Sequence, residues 1–325
     1  MTKIDIYSGF LGAGKTTLIK KMITESYCGQ KLVLIENEFG QIGIDGGFLQ
    51  DAGINITEMN SGCICCSLVG DFGKALTQVI SEYDPDRIVI EPSGVGKLSD
   101  VIAAVNKVTN EKVTLGYTVA VVDAGKVKVY MKNFGEFYNN QIETASTIIL
   151  SRTDAIAQQK LDAAIEMLRE HNSSAAIVTT PWDQLTGAQL IEAMEGKNSL
   201  ADELAALVEE HHHHDEEHCC CGHDHDHHEH NHHHADEVFT SWGVETAKKF
   251  TKEVIEAALK KLDSREYGFI LRAKGIVQAE DGSWIHFDYV PGETNVRNGG
   301  AAVIGKLCVI GAEMDQQDIA QLFGV

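Results

Sequence analysis

A chain of 325 residues with 43% apolar composition is long enough for two domains with buried cores. Its formal net charge of −21 excludes nucleic acid and anionic membrane as standing partners, and it suits a protein that handles cations. Six of the eight cysteines fall into two tight clusters, a spacing that disfavours a disulfide framework and favours soft-metal ligation in a reducing cytoplasm.

The N-terminus runs straight into a strand pattern with no basic segment and apolar run before it, so no signal peptide is expected. No apolar run approaches the length of a membrane span. Lys3 to Tyr7 alternates like a short strand, and Thr17 to Glu25 carries apolar residues at helical spacing. Between them, Gly9, Gly14, Lys15 and Thr16 satisfy G-x-x-x-x-G-K-[ST], with Gly12, Ala13 and Thr17 completing the turn. A strand, a glycine-rich turn and a helix start make a phosphate cradle, because free backbone N–H groups and the helix dipole face one anion. In that cradle Lys15 reaches the β- and γ-phosphates and the Thr16 hydroxyl holds Mg²⁺. The expected ligand is a nucleoside triphosphate.

Lys31 to Glu36 reads as a buried parallel strand that delivers Glu36-Asn37-Glu38-Phe39-Gly40. Carboxylates there can sense Mg²⁺, a γ-phosphate or another metal; a solvated acidic loop is the plain alternative. Ile54 to Met59 reads as a third strand leading into Cys63, Cys65 and Cys66. Three cysteines in four residues can converge on one ion only from a loop, with zinc, copper(I) and nickel open by ligand softness. A vicinal disulfide or three buried small apolar groups are the competing readings. A helix from about Ser67 to Ser81 follows. Asp86 to Glu91 is an apolar strand ending in an acidic residue, the Walker B pattern for Mg²⁺, and Gly94 just beyond can approach the γ-phosphate through its backbone.

Leu115 to Asp123 and Thr147 to Leu150 read as further strands, the second ending in Ser151-Arg152-Thr153-Asp154. Asp154 can accept both N–H donors of guanine and the flat Arg152 guanidinium can cover the purine face; alternatively Asp154 caps a helix running to about Arg169. Residues 175–179 supply the last strand, with helices near 184–194 and 199–209. The alternation predicts an α/β fold, a doubly wound and mostly parallel sheet binding its ligand at the carboxyl ends of the strands.

Composition then changes abruptly. Thirteen histidines lie between His211 and His234, without a lysine or arginine. His211, His212, His213, His214, His218, His223 and His225 are interleaved with carboxylates and with Cys219, Cys220 and Cys221. Such a segment cannot bury a core but can take up borderline-soft cations; a purification tag is excluded by its internal position and by its Cys and Asp. From Val238 a globular pattern returns: a strand from Val238, a helix over Thr246 to Leu262, an antiparallel pair at Phe269–Val277 and Trp284–Val290 with Gly282 in the turn, a strand at Ala302–Ile310 and a helix at Asp315–Phe323. The expected organisation is a nucleotide-binding domain over 1–209, a His/Asp/Cys-rich linker over 210–237 and a small α+β domain over 238–325.

The motifs G-F-L-G-A-G-K-T, E-N-E-F-G, G-C-I-C-C, E-P-S-G and S-R-T-D, with the His-rich linker and the Ser241-Trp242-Gly243 opening of the last domain, resemble the CobW-like branch of P-loop GTPases. The resemblance implies slow GTP hydrolysis coupled to metal delivery. Lys15, Thr16 and Glu91 would serve phosphate and Mg²⁺, Asp154 would read guanine, and Cys63, Cys65 and Cys66 would bind the metal. Glu36 and Glu38 would belong to a nucleotide-sensitive switch. Ser151 departs from the family's Asn, and Ser173 stands where a Pro commonly follows the Asn of a late loop. The resulting expectation is a GTP-dependent metallochaperone for Zn²⁺, with Co²⁺ and Ni²⁺ open, serving a client metalloprotein and open to metal- or nucleotide-dependent assembly with its own copies. The rival readings are a non-catalytic metal buffer and a dedicated activator of one cobalt or iron enzyme.

Overall fold

The computed structural model describes residues 1–36, 69–196 and 240–325, and it divides into two units, Met1–Gly196 and Lys197–Val325. The first unit's chain order is β1 (Thr2–Gly9), α1 (Lys15–Glu25), β2 (Leu32–Glu36), α2 (Val69–Tyr83), β3 (Arg87–Glu91), α3 (Leu98–Asn106), β4 (Val113–Asp123), α4 (Val127–Thr144), β5 (Thr147–Ser151), α5 (Gln158–His171), β6 (Ala176–Val178) and α6 (Gly187–Met194). The strands are ordered β2-β3-β1-β4-β5-β6 and every pairing is parallel. Parallel neighbours need crossover helices, which cover both faces, so the strands read as continuous apolar runs. Ile4, Ile6, Val33 to Ile35, Ile88 to Ile90 and Val119 to Val122 are all buried. The strand expected at Ile54–Met59 and the helix expected at 199–209 lie outside the described residues.

α3 and α4 have no counterpart in the periodicity reading. α3 is only nine residues long. In α4 the apolar pattern is broken: Val129, Phe134 and Phe137 are exposed, and the buried positions include Gln141. Phe134 has non-helical backbone angles (φ −135°, ψ 27°), beside Gly135, so the helix breaks there.

β1 carries a polar cluster within this apolar frame. The fully buried Asp5 carboxylate pairs with the Arg87 guanidinium and accepts hydrogen bonds from the Tyr27 hydroxyl (3.1 Å) and the Tyr117 N–H (2.9 Å). The Tyr7 and Tyr27 hydroxyls share a 2.6 Å hydrogen bond, and Arg87 lies 4.3 Å from the Tyr27 ring centroid. A buried charge is tolerated only when paired and hydrogen-bonded in this way.

The second unit contains β7 (Thr240–Thr246), β8 (Lys249–Phe250), α7 (Lys252–Lys261), β9 (Phe269–Ala279), β10 (Trp284–Val290), β11 (Glu293–Gly299), β12 (Gly305–Ala312) and α8 (Gln316–Phe323). Its sheet runs β11-β10-β9-β12-β7 with antiparallel pairings, and the short β8 adds a parallel pairing to β9. The helix expected from Thr246 begins later. Residues 249–250 are taken up by β8, and the Thr251 side chain caps α7 by accepting from the Val254 N–H at 3.3 Å. β11 gave no sequence signal because its E-T-N-V-R-N-G is almost wholly exposed and lacks alternation. The core joins Ile255, Leu259, Phe287, Leu307, Val309, Ile319 and Phe323.

Candidate nucleotide site

The site forms where β1, β3, β4 and β5 end. After Gly9 the chain turns through Phe10–Ala13, closed by a hydrogen bond from the Ala13 N–H to the Phe10 carbonyl (3.2 Å), and enters α1 at Lys15. Gly14 is the N-cap in a left-handed conformation (φ 100°), and no side chain caps the helix, so its first N–H groups are left to a ligand. A Cβ at Gly14 would lie 3.0 Å from the Trp182 ring. Trp182 follows β6, and its ring edge thereby borders the cradle.

Glu91 stands at the end of β3, beside β1. The Thr16 hydroxyl lies 3.0 and 3.1 Å from its two carboxylate oxygens, and the Lys15 ammonium is 3.9 Å from Oε1. Lys15 is buried, Thr16 half-buried and Thr17 exposed; Ala13 packs inside the turn. Glu36 is the register partner of Glu91 on the next strand, so both carboxylate residues leave the sheet at one level. Gly94 is packed against the phosphate turn so closely that a Cβ there would lie 2.8 Å from both the Leu11 N and its Cδ2. Only glycine permits that approach. The donor set suits a triphosphate with Mg²⁺: a glycine cradle at a helix N-terminus, one ammonium, one hydroxyl and a carboxylate across from it.

The loop after β5 closes the other side. Arg152 adopts a left-handed backbone (φ 56°), and its guanidinium donates to the Asp123 carboxylate (2.6 Å) and to the Gly12 carbonyl (3.1 Å). Asp123, at the end of β4, also accepts from the Gly125 N–H (3.0 Å). Asp154 is exposed inside the short turn Thr153–Ala155. It does not cap α5, whose N-cap is Ala157, which removes the capping alternative. Ser151 is buried and its hydroxyl donates to the Val122 carbonyl at 3.4 Å. Asn172, the Asn of the late loop, is spent on structure: its amide donates to the Ile142 and Ala145 carbonyls, at 2.8 and 2.9 Å.

Sequence reasoning missed Asp123, Gln141 and Trp182. Asp123 carried a usable signal, a carboxylate at the carboxyl end of a buried parallel strand. Gln141 and Trp182 carried none. Beneath the turn, Phe10 packs against Tyr130, Phe134 and Tyr138, with ring centroids at 4.6, 5.0 and 5.8 Å. Burial pushes the Tyr138 phenol above its ordinary pKa, and the nearby Asp123 charge adds to this.

Of the expected metal ligands, only Glu36 falls within the described residues. Glu38, Cys63, Cys65, Cys66, the histidines from His211 onward and Cys219 to Cys221 lie outside them. Among the described residues no three His, Cys, Asp or Glu side chains gather as a metal site. Cys28 is exposed and Cys308 buried; the half-buried His286 ring nitrogen lies 2.9 Å from the Gly300 carbonyl. No helix of the described residues is long and apolar enough to cross a membrane.

The chain is similar to a protein named zinc chaperone CobW from Sinorhizobium sp, 32% identical over 197 residues, covering 52% of this chain and 55% of that one. It is likewise similar to zinc chaperone YjiA of Escherichia coli K12, 32% identical over 184 residues, covering 54% and 56%. The chain thus spans about half the length of the curated relatives it matches. A solved structure of zinc-bound YjiA GTPase from E. coli gives a TM-score of 0.45 at 20% identity, covering 99% of this chain and 98% of that one. Residues 3–179 match the CobW/HypB/UreG nucleotide-binding domain, and residues 239–324 match the C-terminal domain of the cobalamin synthesis protein CobW. The chain belongs to the CobW/HypB/UreG family of nucleotide-binding proteins.

Proposed function

We propose that this protein is a Mg²⁺-dependent GTPase that uses the nucleotide to govern binding and delivery of zinc to a client metalloprotein. The observation that carries the nucleotide half is the approach of Thr16 and Lys15 to Glu91 at 3.0 and 3.9 Å across the phosphate turn. Lys15 would neutralise the β- and γ-phosphates, and Thr16 with Glu91 would hold Mg²⁺, which supplies further charge compensation when bound. Guanine selectivity rests on Asp154, exposed beside Arg152, which is itself tied to the phosphate turn. Hydrolysis would proceed by positioning and electrostatics on a water.

The metal half is supported by Cys63, Cys65 and Cys66 between two nucleotide motifs, by the histidine-rich stretch, and by the names of the relatives. The ion is cargo, taken up by thiolates and released as nucleotide-sensitive loops reorder. Co²⁺ or Ni²⁺ would suit the same ligands less selectively. Assembly with further copies belongs to the same proposal.

The test is steady-state turnover of GTP and ATP with Mg²⁺, with Lys15→Ala as control. Multiple turnovers of GTP, a marked preference over ATP and loss of triphosphate binding in Lys15→Ala are expected. Equal affinity for ATP removes the guanine assignment, and absence of turnover leaves a metal buffer.

A further inference from the structure

One helix braces both catalytic loops from behind. Through Phe10, α4 holds the phosphate turn: Tyr130, Phe134 and Tyr138 all pack on that ring. Through its next turn α4 holds the Glu91 loop. Gln141, only 1% exposed, donates from its amide to the Gly94 carbonyl (3.1 Å) and the Gly96 carbonyl (2.8 Å). Adjacent Asn140 binds the start of α3, accepting from the Ser99 N–H (3.2 Å) and donating to its hydroxyl (3.0 Å).

A carboxamide bonded to two carbonyls fixes two peptide planes. Because each peptide is planar and trans, the N–H groups of Val95 and Lys97 are sent to the side away from Gln141. The Gly96 N–H closes a turn on the Ser93 carbonyl at 2.9 Å, and Gly94 sits against Leu11. The loop from Glu91 to Gly96 therefore has little freedom of its own, and besides its contacts with Leu11 and Thr16 it is tied from behind by one buried side chain of another helix.

We infer that Gln141 is a positioning residue for triphosphate hydrolysis: it sets the Glu91–Gly96 loop at the γ-phosphate end of the cradle. The inference rests on the triphosphate reading above. The Gln141 amide bonds go to Gly94 and Gly96, at the γ-phosphate end of the cradle, so it governs the γ-phosphate and leaves the diphosphate contacts intact.

Two full-length variants test it. Gln141→Leu removes both donors, and Gln141→Glu keeps the shape while a carboxylate can only accept, facing two carbonyls. Both are compared with the wild type for kcat and KM with GTP, for affinity toward GDP and a non-hydrolysable GTP analogue, and for thermal unfolding. Expected are a kcat loss of about tenfold or more with GDP affinity held within about twofold, and a smaller advantage of the analogue over GDP. Part of the Gln141→Glu loss is expected to return at mildly acid pH, where a protonated carboxyl regains one donor. Equal losses of GDP and analogue affinity accompanied by a lower melting temperature overturn the inference in favour of plain packing. An unchanged kcat also overturns it. Wild-type turnover is read separately: its absence would remove the hydrolysis reading itself, and with it this role for Gln141.

Discussion

The guanidinium of Arg152 donates to the carbonyl of Gly12, 140 residues earlier in the chain, at 3.1 Å. The loop after β5 and the phosphate turn are thereby joined by one side chain, which is held from the other side by Asp123. A planar fork serves the two acceptors from two separate nitrogens, whereas a lysine ammonium offers its donors from a single point and lacks that span. The Arg152 side chain is 59% exposed, so solvent screens the pair and the loss in Arg152→Lys is expected near 1 kcal/mol, roughly fivefold in nucleotide Kd. Fluorescent-nucleotide titration reads this directly; an unchanged Kd would show that the tie does not serve binding.

Metal and nucleotide are expected to communicate. Cys63, Cys65 and Cys66 lie in sequence between Glu36 and Glu91, which are register partners at the site. If zinc tightens GTP binding, linkage requires GTP to tighten zinc binding by the same factor, about 5- to 150-fold in coupled systems. A zinc titration with and without a non-hydrolysable GTP analogue measures that factor. Replacing the three cysteines by serine removes both the tight site and the coupling, and identical affinities in the wild type would end the delivery mechanism. With thiolates as the proposed ligands, uptake is expected to release protons and to weaken as pH falls.

Deletion of residues 211–234 is expected to lower the number of zinc ions bound per chain and to leave GTP turnover nearly intact. The stretch carries thirteen histidines and lies outside the matched nucleotide-binding domain, residues 3–179. Stoichiometry by metal analysis and turnover on the same preparation decide the matter. Loss of turnover would mean that the stretch is part of the catalytic unit.

Stability should hinge on Asp5. Replacing it by Asn strands the Arg87 guanidinium, whose side chain is 8% exposed, without its carboxylate partner. Removing one partner of a buried pair typically costs about 3–5 kcal/mol, visible in urea unfolding. Replacing Asp5 and Arg87 together by apolar residues of similar volume is expected to cost much less. Equal losses in the two variants would place the stabilisation elsewhere.

Much of the nucleotide half was legible because its signals are local. The G-x-x-x-x-G-K-T turn is flanked by a strand and a helix whose periods differ, and Glu91 ends a strand of uninterrupted apolar residues. Asp123 ends a buried strand in the same way and carried the same signal, but Gln141 and Trp182 were not legible. Their partners are Gly94 with Gly96, and Gly14, which only folding brings near. α4 was passed over because an aromatic, Asn-rich helix with exposed Phe134 and Phe137 shows no clean apolar stripe. β11 was passed over because an exposed edge strand carries little burial to read.

The pairing of β1 with β3 has one more consequence. β1 and β3 lie side by side at the pitch of neighbouring strands, about 4.8 Å, with Ile6 opposite Ile90, one residue before Glu91. That pitch is a property of the main chain, the same in any sheet, and no side-chain replacement in either loop rescales it. Descendants of this sequence could trade bases, metals or clients by altering loops. The lateral spacing of the strands that carry the phosphate turn and Glu91 would be inherited unchanged for as long as the two stay paired.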